Sequence, residues 1–295
     1  MRAGINSLTA ALLVGVAIGL VLTPDGRAWL RHPTLLFGSS ANASAPVVEP
    51  APLPVAVGPV LPTVTPLKDR LAQRRALRVG VFGDSMADGL WTGLYRELNG
   101  QPGVTVTKFS EVSTGLSRYD YVDIQDKTAR QIAETPVDVA VILFGTNDAQ
   151  GISIDGEIHD FGTDGWKAAY AKRVDDLVAM LRGQNVAVYW VGLPAMKRAS
   201  FDAKMMLINE VVSARMQALG VPYVETESIT QNAEGEYDAY LPETGTGRRR
   251  LMRANDGIHM SMAGYLRITE PVEAAIRRDA GLVAPATASP ETAGT

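Results

Sequence analysis

The chain has 295 residues, 46% of them hydrophobic and 20% charged, which is enough to enclose one good-sized core with appendages. A formal net charge of -4 is small for that length and gives no electrostatic reason to expect a nucleic-acid partner. The chain has no cysteine, which excludes disulfides, thiolate metal sites and a cysteine nucleophile.

Residues 3–23, "AGINSLTAALLVGVAIGLVLT", follow Arg2 and contain no charged side chain. The run is long enough to cross a bilayer as a helix, and no small-x-small cleavage site follows it directly. A signal anchor is therefore expected over 1–25, in preference to a cleaved signal peptide. It would fix the protein to the inner membrane with its bulk in the periplasm; cleavage would release it. Residues 26–70 are rich in Pro and Ala, lack a helical or strand period, and are expected to form an extended tether. By the same argument 283–295 is a disordered tail. The globular domain is expected over 71–282.

Within it, short β-branched runs at 77–82, 104–108, 137–144, 186–191 and 221–224 predict five strands. The third, "VDVAVILF", is apolar enough to be buried on both faces, as in a parallel sheet. Between the strands, apolar spacing near 3.6 predicts helices over 88–98, 123–134, 166–182, 201–219 and 261–279. Regular alternation of the two predicts an α/β fold: a three-layer α/β/α sandwich around a doubly wound parallel five-stranded sheet. Ligands in such sheets bind beyond the carboxyl ends of the strands. Those ends read "GDS" after the first strand, "SEVSTGLSR" after the second, "GTND" after the third and "GLPAMKR" after the fourth.

A serine hydroxyl needs a neighbouring base to become a nucleophile. Of the three histidines, His32 lies beside the apolar N-terminal run and His159 in an acidic loop. His259 follows Asp256 by three residues just before the last helix, so one carboxylate can hold one imidazole nitrogen while the other faces Ser85. The negative oxygen made by attack on an ester would need donors, and the N–H of Ser85, the N–H of Gly115 and the amide of Asn147 are the candidates. Each piece has a plainer reading: Asp84 and Ser85 as a helix cap, "GTND" as a turn with Asp148 a structural hydrogen-bonder, "DGIH" as a cap with a surface histidine.

Four blocks, Gly83-Asp84-Ser85, Gly115, Gly145-Thr146-Asn147-Asp148 and Asp256-Gly257-Ile258-His259, stand in the order and rough spacing seen in the SGNH (GDSL-type) hydrolases, and the chain resembles that family from about 77 to 278. The wording "WVGLPAMKR" and "RANDGIHMSMAGY" resembles a poorly characterised bacterial cell-envelope branch of it, related to enzymes that add or remove acyl groups on envelope polysaccharides. The resemblance implies a flavodoxin-like sheet, Ser85 as nucleophile, His259 as base, Asp256 as its orienter, and Ser85, Gly115 and Asn147 as the oxyanion hole, with no cofactor and no metal. It points to a serine esterase acting on O-acyl groups of an envelope carbohydrate or another small ester. The alternatives are an O-acyltransferase using the same residues, a lipid esterase or thioesterase, and a non-catalytic glycan-binding scaffold.

The loop 153–166 carries Asp155, Glu157, His159, Asp160 and Asp164 without the ligand spacing of a calcium loop, and reads as a solvated insertion. Arg250 and Arg253, in and after "RRR", are expected either to be solvated or to bind a substrate carboxylate or phosphate. The long connection 226–247 is expected to serve as a lid or binding loop.

Overall fold

The computed structural model describes residues 61–282; the anchor expected over 1–25, most of the tether and the tail at 283–295 lie outside them. Among the described residues no helix is long and apolar enough to cross a membrane.

Five parallel strands form the central sheet: β1 (Leu77–Gly83), β2 (Val104–Lys108), β3 (Val139–Leu143), β6 (Ala187–Val191) and β7 (Tyr223–Val224), in the order β2-β1-β3-β6-β7. The first strand thus pairs with both the second and the third, Val79 meeting Val106 on one side and Val139 on the other. Chain direction switches there, which makes the sheet doubly wound and opens a crevice at its carboxyl edge. Every residue of β3 is buried, because helices cover both faces. Helices α1 (Leu67–Arg74), α2 (Ser85–Leu98) and α6 (Met262–Ala280) pack together on one side, and α3 (Ile124–Glu134), α4 (Asp164–Gly183) and α5 (Ala199–Leu219) on the other. The fold is the expected α/β/α sandwich.

Local chemistry fixes the helix ends. Asp123, Thr163 and Ser261 cap the first turns of α3, α4 and α6 with side-chain oxygens, while Gly220 and Gly281 end α5 and α6 in the left-handed conformation. Gly89 and Gly93, one turn apart on α2, lie under Tyr265 and Thr269 of α6; a Cβ at either would come within 2.2 Å of those side chains. This close approach seats the start of α6 against the start of α2.

Two departures from expectation are local. Helix α1 begins inside the stretch read as tether, because Leu67 and Arg70 have somewhere to be buried. Two antiparallel hairpins interrupt the α/β pattern: β4 (Ile152–Ile154) with β5 (Glu157–His159), and β8 (Tyr240–Pro242) with β9 (Arg249–Leu251).

At the amino edge of the sheet, opposite the crevice, Asp138 is 1% exposed. It accepts from the Arg78 N–H and guanidinium at 3.0 Å and from Arg74 at 3.1 Å, with Arg70 alongside at 3.9 Å. Burial pushes its carboxyl up, but the Arg78 hydrogen bonds and the surrounding guanidinium charges outweigh this and hold it below the ordinary range. Its contribution to stability is present above the unfolded carboxylate pKa and is lost as pH falls through the depressed folded value. Asp138→Ala should lower the unfolding free energy in urea by about 2–3 kcal/mol at neutral pH, less than a fully buried pair because Arg74 and Arg78 are partly solvated, with the deficit shrinking toward pH 3.

Candidate active site

Strand β1 ends at Gly83, Asp84 caps α2 by accepting from the Met86 N–H at 2.9 Å, and Ser85 stands at the first helical position. The Asp84 carboxylate does more than cap. Its second oxygen accepts from the N–H and the hydroxyl of Thr146, at 3.1 and 2.6 Å, tying the serine turn to the loop after β3. That loop's next carboxylate, Asp148, reaches the loop after β2: it accepts from the Ser117 N–H at 2.8 Å and hydroxyl at 2.9 Å, and from the Tyr170 hydroxyl of α4 at 2.8 Å. A Cβ at Gly115 would lie 2.2 Å from an Asp148 oxygen, so only glycine lets the two loops close.

Between these two anchors, the Asn147 amide donates one N–H to the Thr114 carbonyl at 2.9 Å. That carbonyl belongs to the peptide whose N–H is Gly115's, so Asn147 aligns and polarises the peptide. Neither the Gly115 nor the Ser85 N–H donates a hydrogen bond among the described residues. The reading of Asp148 as a structural hydrogen-bonder agrees with its position; the coupling of Asp84 to Thr146 was not legible, since in sequence Asp84 looks like a cap alone.

Ser85 and His259, 174 residues apart, meet at 2.8 Å between the serine Oγ and the imidazole Nε2. The other ring nitrogen, Nδ1, is 2.7 Å from an Asp256 carboxylate oxygen, whose partner oxygen accepts from the Ile258 and His259 N–H groups, both at 2.9 Å. Burial works against the Asp256 charge, but the imidazole and the two N–H groups hold its carboxyl below the usual range, so it remains an anion. The His259 and Asp256 side chains are 38% and 47% exposed, so the site lies open rather than in a tunnel.

The structure brings together Ser85, Asp256 and His259, and sets Gly115 and Asn147 on the neighbouring strand ends. It does not bring in Arg250 and Arg253 as substrate ligands. Arg250 lies on β9, ion-paired with Glu243, lining a cavity of about 330 Å³ with Glu97, Glu270 and Glu273 in which Ser85 and His259 have no part. Arg253 is 1% exposed, and its guanidinium is taken up by backbone carbonyls, so no substrate anion can reach it. The connection 226–247 is not a free lid: Arg267 of α6 donates to the carbonyls of Ile229 and Pro242 and pins it down. The acidic loop 153–166 takes in most of the β4–β5 hairpin and runs on into the first turn of α4, and among the described residues no three His, Asp or Glu side chains gather as a metal ion would require.

Asp84 and Asp148 are both fully buried, and burial pushes both carboxyls up, Asp84 to about 6 despite its three hydrogen bonds. A raised carboxyl pKa favours the fold at low pH, and that advantage fades as pH rises through the folded value. Asp84→Asn, which cannot titrate, should therefore be less stable than the wild type at pH 4, where its amide meets the Thr146 donors. The gap should close by about 2 kcal/mol by pH 7 in urea unfolding; a constant gap would mean Asp84 does not titrate in that range.

None of the curated proteins matches the chain. Among solved structures, a GDSL-like lipase from Bacteroides thetaiotaomicron superposes with a TM-score of 0.50 at 15% identity, over 72% of this chain and 97% of its own. An acetylxylan esterase from Geobacillus stearothermophilus, solved as a catalytic mutant, gives 0.49 at 14% identity over 72% and 97%. The likeness to the lipase is one of fold, and it agrees with the architecture that the four sequence blocks implied. The family described as Protein of unknown function (DUF459) matches residues 78–275, the span that carries the whole sheet and all four blocks, and the chain belongs to that family.

Proposed function

We propose that this protein is a serine ester hydrolase of the cell envelope, held to the inner membrane by its N-terminal apolar segment and removing short O-acyl groups, of the acetyl type, from an envelope carbohydrate. The observation that carries the reading is the unbroken line from Ser85 through His259 to Asp256, at 2.8 and 2.7 Å.

The mechanism follows from that line. His259 Nε2 accepts the Ser85 hydroxyl proton as Oγ attacks the ester carbon. Asp256, an anion held by two backbone N–H groups, keeps the Nδ1 proton in place and stabilises the imidazolium that forms. The tetrahedral oxygen takes hydrogen bonds from the uncommitted N–H groups of Ser85 and Gly115 and the second N–H of the Asn147 amide, each worth roughly 3–4 kcal/mol in the transition state. His259 then passes its proton to the departing sugar oxygen. In the second half, His259 takes a proton from water, the resulting hydroxide attacks the acyl-serine, and the proton returns to Ser85 as the acid leaves.

The open setting of His259 and Asp256 supports a small acyl group on a large substrate, since a long chain would gain little without an apolar channel to bury it. The same openness supports a second reading, in which a sugar hydroxyl replaces water and the protein transfers the acyl group. Ser85→Ala in the full chain should reduce release from p-nitrophenyl acetate and from acetylated glycans by about 10⁴-fold or more, and Asp256→Asn by a comparable factor. Turnover in Ser85→Ala equal to the wild type would falsify the hydrolytic reading. A fluorophosphonate should label Ser85 in the wild type and fail to do so in His259→Ala. With an added acceptor sugar, appearance of the acylated sugar in place of free acid would favour transfer.

A further inference from the structure

Arg253 carries a positive charge, is 1% exposed and forms no ion pair among the described residues, although Asp202, Asp256, Tyr237 and Tyr265 lie within electrostatic range. Burying a cation costs several kcal/mol, and an apolar side chain of the same bulk would avoid that cost. What the guanidinium does instead is bind backbone. One terminal nitrogen donates to the Ala195 carbonyl at 2.5 Å, in the loop after β6. The other donates to the Gly257 carbonyl at 3.3 Å and the Ile258 carbonyl at 2.9 Å, and touches the Met196 sulfur at 3.5 Å. The face of the fork lies over the Tyr237 ring at 5.1 Å.

These carbonyls are not arbitrary. The Gly257 carbonyl shares a peptide unit with the Ile258 N–H, and the Ile258 carbonyl shares one with the His259 N–H. Those two N–H groups are the ones that grip Asp256. One guanidinium nitrogen therefore pulls on the far side of both peptides that hold the carboxylate. Hydrogen bonds in series polarise one another, so a cation on the carbonyls strengthens the N–H donors opposite. The loop has little freedom to find this arrangement another way. Gly257 has φ of 69°, and a Cβ there would lie 2.3 Å from Lys197, whose own N–H donates to the Gly257 carbonyl at 3.1 Å.

We propose that Arg253 is a positioning residue for the reaction: through the Gly257–Ile258 and Ile258–His259 peptides it holds Asp256, and through Asp256 the imidazole that faces Ser85. This rests on the hydrolytic reading of those three residues. Lysine at the same position retains the charge but cannot fork to carbonyls in two loops.

The test uses the full chain with p-nitrophenyl acetate. Arg253→Lys and Arg253→Met, checked for cooperative melting, should lose kcat by roughly 10²-fold with KM little changed, and fluorophosphonate labelling of Ser85 should slow in step. In Arg253→Ala, added methylguanidinium should recover part of the lost kcat while a neutral compound of similar size does not; equal recovery by both would mean that the side chain only fills a hole, and would overturn the proposal. A folded Arg253→Lys with wild-type kcat would overturn the proposal. So would a change confined to KM, or a position at which no variant folds, because Arg253 would then be structural only. Failure of the hydrolytic reading shows separately, as turnover that survives in Ser85→Ala.

Discussion

Taking a carboxylate out of water is costly unless donors replace the solvent, and this domain buries two of them beneath one crevice. Asp84 and Asp148 meet that demand by drawing in N–H and O–H groups from whatever strand ends are near: Met86 and Thr146 for the first, Ser117 and Tyr170 for the second. Each carboxylate thereby welds two loops that the sheet alone only brings close. The serine turn is joined to the loop after β3, and that loop to the one after β2. Asn147 and Gly115 owe their places to the buried acids on either side of them.

The third carboxylate, Asp256, is treated differently. It is nearly half exposed, and its charge is held by hydrogen bonds from its own loop and from His259. The acids that fix geometry are therefore dry, while the one that works on the imidazole stays wet. The division has an electrostatic logic. A buried anion beside the histidine would carry a large desolvation cost of its own, whereas a solvated one can stabilise an imidazolium and relax between steps.

Much of this arrangement was legible in the sequence because it is written in local chemistry. "VDVAVILF" is a short, β-branched run apolar enough for a strand covered on both faces, and Asp256 and His259 stand three apart in a chain with three histidines. The α/β alternation located the crevice without any coordinates. What escaped were interactions whose partners are far apart in the chain. Asp84 looked like a cap because a cap is all that neighbouring residues reveal; Thr146 lies 62 residues away. Arg253, after "RRR", reads either as a solvated cation or as a ligand for a substrate anion, and nothing local says that Ala195 waits for it 58 residues earlier. The β4–β5 hairpin, by contrast, is written locally: "SIDGEI" sets Asp-Gly between alternating residues, and Asp155 and Gly156 take the positive φ values, 51° and 84°, that a two-residue hairpin turn demands.

The separation of Ser85 from His259 has a consequence in time. Chains leave the ribosome N-terminus first, so the serine turn and the first three strands exist well before the histidine has been made. The base arrives on the last loop, and it is seated only when α6, the final helix, closes over the two glycines of α2. A chain that stops short of His259 lacks the base that faces Ser85, however completely its first strands have formed.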